Sequence, residues 1–381
     1  MKKTNFLTAI IAFLIFVNIF AGTNFSVKAK NLTNQNTLIS SEITMEINSN
    51  RVLFAQNEQT KRPMASTTKI MTAITVIENN PDLNQIVEIK PEYTGIEGSS
   101  IYLQAGEKLT IKELLYGLML QSGNDCAVSL ACYTSGSIDK FSELMNNFAL
   151  NIGVINTNFT NPHGLHNDNH YTTAYDLAKI SCYAMKNNIF KEIVSTKSIK
   201  ISSPFQKYRL LLNKNKMLKE YDGATGIKTG FTKKAGRCLV SSANKNGMEV
   251  VCVVLGCPPM FERSKNLLNN SYNEYKYTEI FNADSFKEKA KIIGTDIYCQ
   301  LKTYKSFYYP LKKDEINYIK TSILFPQEIT PPFEKEDIVG KIEIYYKNQL
   351  LFSENIYTII GVQGKDYNYI VKDIVASWRI F

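Results

Sequence analysis

The stretch Pro63-Met64-Ala65-Ser66-Thr67-Thr68-Lys69 decides how this chain is read. Ser66 and Lys69 stand three residues apart, and an apolar run follows at once: Ile70, Met71, Ala73, Ile74, Val76, Ile77. The run predicts a buried helix, ended by Asn79-Asn80-Pro81. Residues i and i+3 share a helix face, so the lysine amine can reach the serine hydroxyl. A serine hydroxyl is a poor nucleophile until a neighbouring base takes its proton. A lysine serves as that base where burial or nearby cations lower its pKa. The start of a helix adds partial positive charge and free N–H groups, both useful to an oxyanion. The spacing alone is cheap. Ser137-Ile138-Asp139-Lys140 repeats it, and the ordinary reading of such a pair is a serine cap with a solvated lysine.

Two further short motifs follow in order, Ser122-Gly123-Asn124 and Lys228-Thr229-Gly230. Each is weak by itself; Ser242-Ala243-Asn244 also fits the first but leads into a hairpin turn. Placement raises their value. Ser66 opens a buried helix, Ser122 falls in a break between helices and Lys228 lies on a strand, three elements that can converge on one cleft.

The helix expectations rest on clear signals. Thr110-Ile111-Lys112-Glu113 is a capping box opening a helix through Leu114 to Met119, broken at Gln121 to Asn124; a second helix starts with Asp125. Ser137 begins another, ended near Gly153, and Thr173 opens one more to about Asn188. Strands are expected over Glu42 to Ile47, Arg51 to Ala55, Ile86 to Ile89, and then Gly226 to Phe231, Gly236 to Ser242 and Met248 to Gly256. Asn244 to Gly247 reads as the hairpin turn between the last two. A helix over Arg263 to Tyr277 precedes a boundary near residue 284. Beyond it lie strand-like stretches at Ser306 to Leu311, Lys341 to Tyr346, Gln349 to Phe352 and Ile356 to Ile360.

The 381 residues suffice for two domains, and 44% hydrophobic with 21% charged content describes a globular chain. Residues 1–29 read as a secretory signal: Lys2 and Lys3 lead an apolar Phe6 to Ala21, and Val27-Lys28-Ala29 offers a cleavage site. An uncleaved anchor is the alternative; either way the rest is exported. The formal charge is +9, about +6 without the signal, which suits an anionic cell envelope. No nucleic-acid motif accompanies it. The seven cysteines read mostly as small buried residues, not as a disulfide framework or metal site. His163, His166 and His170 cluster with Asp168, but on a loop without a helical His-Glu-x-x-His frame. Hydrogen bonding beside a cleft is preferred to a metal.

The three motifs together occur in penicillin-binding proteins and β-lactamases. Their surroundings sharpen the resemblance: Glu97 to Leu103 with Gly106-Glu107, Gln121 to Asp125, Asn161 to Leu165 with His170 to Ala174, and Gly226 to Thr232. Over about residues 40–280 the chain resembles the D-alanyl-D-alanine carboxypeptidases, the low-molecular-mass penicillin-binding proteins. The resemblance implies an α/β (α+β) fold: a β-lactamase/transpeptidase-like domain over 30–284, with an antiparallel sheet flanked by helices, and a small β-rich domain over 285–381. It implies that Ser66 is acylated, that Lys69 is the general base and that Ser122 relays a proton to the leaving D-Ala. Asn124 would hold the substrate amide, and Lys228 and Thr229 would meet the terminal carboxylate. Gly230 and Phe231 continue the substrate-binding strand, and the backbone N–H groups of Ser66 and Phe231 would form the oxyanion hole. Substrates would be peptidoglycan stem peptides ending in D-Ala-D-Ala, with β-lactams as covalent ligands and no cofactor. The family's usual arginine after the third strand is displaced here; Arg263 stands closer to Leu267-Leu268 than the usual spacing. Rival readings are a β-lactamase, disfavoured by the lack of a glutamate motif after Asn161, a transpeptidase, and an inactive peptidoglycan-binding protein. The tail places Tyr367, Ile370, Val371, Ile374, Val375, Trp378 and Phe381 on one helical face. It reads equally as a membrane-surface helix or as an element docked on the second domain.

Overall fold

The computed structural model describes residues 40–203 and 208–363; the expected signal and the apolar tail lie outside them. β1 (Ser41–Glu46) and β2 (Val52–Gln56) form an antiparallel hairpin. A 3-10 turn, Ala65–Thr68, then runs into α1 (Lys69–Asn79). Ser66 therefore sits in a tighter turn ahead of the expected helix. Lys69 to Ile77 are all buried, so the helix is enclosed on every side, with Lys69, Thr72 and Thr75 as its buried polar residues. β3 (Ile86–Glu88) and β4 (Lys108–Thr110) make a small ribbon before α2 (Ile111–Leu120). The expected capping box is in place: Glu113 N donates to Thr110 Oγ1 at 3.1 Å and Thr110 N to Glu113 Oε2 at 2.9 Å. The chain breaks at Gln121 and resumes as α3 (Asn124–Ser135), followed by α4 (Ile138–Asn151), α5 (Ala174–Met185) and α6 (Asn188–Ser195). α6 is an addition to the sequence reading, which lets α5 run to Asn188. Asn187 accepts from Ile189 N and Phe190 N at 3.0 and 3.1 Å, so it caps a new helix instead of finishing the old one.

β5 (Ser198–Ile201) and β6 (Arg209–Leu212) pair, and the short α7 (Met217–Glu220) leads into β7 (Ala224–Thr232), β8 (Gly236–Lys245) and β9 (Met248–Leu255). The sheet order is β2-β1-β9-β8-β7, antiparallel throughout. The β8–β9 hairpin turns at Asn246 and Gly247, both at positive φ, the geometry that suits the right-handed strand twist. All eight residues of β9 are buried because both sheet faces are covered. Val251, Val253 and Leu255 pack with the helices of one side, and Val250, Cys252 and Val254 with α8 (Met260–Glu274) on the other. α8 starts and ends three residues before the expected Arg263 to Tyr277. Pro258-Pro259 serve as its entry, and the residues after Tyr275 are claimed by a strand.

That strand is β10 (Lys276–Phe281). β11 (Lys289–Ile292), β12 (Tyr298–Lys302), β13 (Phe307–Leu311), β14 (Ile319–Leu324), β15 (Glu328–Ile329), β16 (Ile338–Tyr346) and β17 (Gln349–Thr358) follow. β10 pairs with β13, and the others form a sheet ordered β14-β16-β17-β12-β11-β15 with its own core around Ile292, Leu301, Ile342, Ile344 and Ile356. Two expected strands, at 349–352 and 356–360, are one. Ser353-Glu354-Asn355 look like a break, but pairing with the continuous β16 carries them through. Arg51 ties this region to the first hairpin. It bonds Glu315 at 2.7 Å, amid the rings of Tyr275, Tyr309 and Tyr346.

Candidate active site

The 3-10 turn brings Ser66 to the edge of a cleft of about 300 Å³, bordered by Ser99, Asn124, His163, Leu165 and Phe231. Lys69, one turn on, is fully buried. Its Nζ lies 3.3 Å from Ser66 Oγ and donates to Asn124 Oδ1 at 2.7 Å and to the His163 carbonyl at 2.6 Å. Burial holds its pKa well below the ordinary lysine value, and the positive charge of Lys228 lowers it further; Cys126 and Asp125 act in the opposite sense. Asn124 is itself clamped, donating through Nδ2 to the Glu97 carbonyl, while its own N–H reaches the Ser99 carbonyl at 2.7 Å.

β7 runs alongside the turn. A Cβ on Gly230 would stand 3.1 Å from Ser66 N and 3.2 Å from Met64 O, so the strand comes this close only because it carries glycine there. Lys228, two residues earlier, is buried and donates to the Thr229 carbonyl at 3.0 Å. Burial first, and the charge of Lys214 second, bring its pKa down to about 7. Phe231 is exposed at the cleft mouth. Ser122 lies in the α2–α3 break at φ +66, and its buried Oγ has no hydrogen-bond partner. The site residues read from sequence thus arrive on the 3-10 turn with α1, the α2–α3 break with α3, and β7. Ser66, Lys69 and Asn124 are joined by hydrogen bonds; Gly230 packs on Ser66; Ser122 is close by in sequence to Asn124 but bonded to none of them.

The histidines divide their work. His170 Nδ1 accepts from Thr160 N at 3.0 Å and Nε2 meets Thr68 Oγ1 at 2.8 Å. Because Thr68 Oγ1 already donates to the Ala65 carbonyl, the ring must donate from Nε2. Burial pushes the His170 pKa to about 3, so the ring stays neutral and braces the Ser66 turn. His163 presents its carbonyl to Lys69 and its Nδ1 to Leu165 N. His166 reaches Asp168 at 3.2 Å. Among the described residues no group of three or more His, Cys, Asp or Glu is arranged to hold a metal. Arg263 is committed elsewhere, donating from Nη2 and Nε to Glu42 Oε2 at 2.6 and 2.9 Å. All seven cysteines are free, six of them buried.

The sequence reading passed over Lys214, which sits in no motif. It donates to the Gln121 carbonyl beside Ser122, and its charge reaches both Lys69 and Lys228. The lookalike motifs resolve cleanly. Ser137 accepts from Lys140 N at 3.2 Å as a helix cap, and Ser242 bonds Thr225 within the sheet at 2.7 Å.

Residues 28–258 match the family model described as D-alanyl-D-alanine carboxypeptidase, Peptidase S11. Residues 275–363 match that of the C-terminal domain of penicillin-binding protein 5. The D-alanyl-D-alanine carboxypeptidase DacF of Bacillus subtilis (strain 168) is 28% identical over 350 residues, 90% of each chain. Penicillin binding protein 5 from Haemophilus influenzae has a similar structure, with a TM-score of 0.67 at 25% identity, over 85% of this chain and 97% of that one. The Streptomyces K15 DD-transpeptidase aligns with a TM-score of 0.57 at 34% identity, over 60% of this chain and 94% of its own. With a match running over residues 28–258, most of its length, the chain belongs to the D-alanyl-D-alanine carboxypeptidase family of serine peptidases.

Proposed function

We propose that this protein is a serine-type D-Ala-D-Ala carboxypeptidase that removes the terminal D-Ala from peptidoglycan stem pentapeptides through an acyl-enzyme on Ser66. The observation that carries the reading is the buried Lys69 amine, 3.3 Å from Ser66 Oγ and hydrogen-bonded only to neutral oxygens. Such surroundings favour the free amine, the form that takes a proton. Ser66 Oγ gives its proton to Lys69 and attacks the carbonyl carbon of the penultimate D-Ala. The backbone N–H groups of Ser66 and Phe231 receive the oxyanion. Ser122 passes a proton to the leaving amine, D-Ala departs, and water then cleaves the ester. Lys228 and Thr229 meet the terminal carboxylate. Asn124 seats Lys69 and offers its amide to the substrate backbone. Gly230 lets the substrate-bearing strand lie against the nucleophile's turn, where an extended peptide can add to its edge.

β-Lactams acylate the same hydroxyl. Ser99, Asn124, His163 and Leu165 bring no carboxylate to the cleft that could drive rapid release of the penicilloyl group, which disfavours a β-lactamase. Transpeptidation by the same acyl-enzyme is the second reading, favoured by the likeness to the Streptomyces K15 DD-transpeptidase; only the acceptor differs. On this reading the peptidase domain would span 30–284 and the β-rich domain 285–381. A signal over 1–29 would export the protein to the cell envelope, and the tail would add attachment to the membrane surface. The deciding experiment is incubation with a pentapeptide ending in D-Ala-D-Ala: free D-Ala supports the assignment, and an unchanged peptide together with no penicillin adduct by intact mass refutes it.

A further inference from the structure

Lys214 is bound to the same short break that carries Ser122. Its N–H donates to the Leu120 carbonyl at 3.2 Å and its Nζ to the Gln121 carbonyl at 2.8 Å. Gln121 answers through Nε2 to the Leu212 carbonyl at 2.9 Å. The segment after β6 is therefore laced to the residues just before Ser122. Ser122 needs that support. It holds a left-handed φ of +66 and a buried hydroxyl without a partner, and both features persist only where neighbours over-determine the backbone. Lys214 is also the third lysine of the site. The hydrogen bonds of Lys69, Lys228 and Lys214 all go to neutral oxygens.

We infer that Lys214 is a positioning residue of the proposed reaction, fixing the left-handed turn at Ser122 and adding its charge to the field around Lys69 and Lys228. This rests on the carboxypeptidase reading above. The charges facing Lys69 come from β7 (Lys228), from Lys214 and from α3 (Asp125, whose carboxylate is engaged by Ser100 Oγ and Leu103 N). The other titratable neighbours are neutral near pH 7. Burial pushes the Cys126 thiol far up, and burial brings His163 down to about 4. Lys228 in turn faces Lys214. A nearby positive charge lowers a lysine pKa, so deleting Lys214 must raise both.

The test compares wild type, Lys214→Met, Lys214→Gln and Lys214→Arg by D-Ala release from the pentapeptide across pH, with melting temperatures as a fold control. The Met variant should lose on the order of tenfold to a hundredfold in kcat with a smaller change in KM, as expected of a misplaced group. Both limbs of its kcat/KM profile should move to higher pH, and the displacement should shrink at high salt because Lys214 is exposed. The Arg variant should restore both limbs. The Gln variant, which keeps a donor but no charge, should shift the limbs with a milder loss of kcat, and it replaces the Met variant if that one does not fold. Limbs that coincide with wild type in the uncharged variants, or an Arg variant as impaired as Met, overturn the inference. A wild-type protein that releases no D-Ala overturns the functional reading and this inference together.

Discussion

Ser66 to Lys69 and Ser137 to Lys140 have the same spacing and each stands at the start of a helix, yet their surroundings differ. Ser137 spends its oxygen on the Lys140 N–H, and the Lys140 side chain is exposed. Ser66 lies in a 3-10 turn held by Thr67 and Thr68, whose hydroxyls donate back to the Met64 and Ala65 carbonyls at 2.6 and 2.8 Å. Its own hydroxyl is left for Lys69. Three other elements then close on the pair: α3 with Asn124, the loop with His163, and β7 with Gly230. The spacing supplies reach. Burial by distant parts of the chain lowers the pKa of the lysine.

The largest effect expected from this contrast is at the proposed nucleophile and its proposed base. Ser66→Ala or Lys69→Met should cut D-Ala release by several powers of ten, whereas Ser137→Ala and Lys140→Met should leave it unchanged. Intact mass after penicillin treatment checks the first; an adduct persisting on Ser66→Ala would move the nucleophile elsewhere.

Lys228 sharpens the comparison, because it is a second buried lysine with a different proposed duty. Lys228→Ala should cost about 2 kcal/mol more for substrates with a free terminal carboxylate than for their amides. Equal losses would mean that it acts on Lys69 instead. Its pH signature has a definite sign. With its pKa lowered to about 7, free Lys228 loses its charge as pH rises through about 7, so kcat/KM for acid substrates should fall above that pH. The amides should not show this alkaline limb.

Gly230→Ala probes how closely β7 must approach. The new methyl would sit 3.1 to 3.2 Å from Ser66 N, Met64 O and Thr67 N, all backbone, so the turn must shift by a few tenths of an ångström. A fall of roughly tenfold in the acylation rate by penicillin is expected, within the range for small displacements of reacting groups. Stopped-flow labelling at saturating and limiting penicillin separates this from weaker binding.

Much of this architecture could be read from residues because its signals are local. The Thr110–Glu113 capping box, the Asn246-Gly247 turn and the apolar run Val250 to Leu255 of β9 announce themselves. What escaped depended on partners far along the chain. Asn187 looks like a helix end until its side chain is seen capping α6, and Ser353 to Asn355 look like a gap until β16 pairs across them. The motifs at Ser66, Ser122 and Lys228 were legible as candidates, since each is a short fixed pattern. Lys214 was not, because nothing in Asn213-Lys214-Asn215 hints that its amine folds back on Gln121. Arg263 was the opposite case, a charge near the right place in sequence whose partner, Glu42, lies over two hundred residues away.

The smallest effect is at the lookalike itself. Removing the Ser137 hydroxyl leaves the Lys140 N–H without its cap, and a lost serine cap costs about 1 kcal/mol. In a domain of this size that corresponds to a fall in melting temperature of roughly 2–4 °C. Ser137→Ala should show that fall by calorimetry while keeping wild-type D-Ala release and penicillin labelling. Ser66→Ala should show the reverse, losing both activities with little change in melting temperature, because the turn is held by Thr67, Thr68 and His170 and not by Ser66. If Ser137→Ala instead lowered the acylation rate, the two pairs would be coupled through α3 and α4. The distinction between a structural serine and a reactive one would then have to be redrawn at the level of the helical half and not of the single turn.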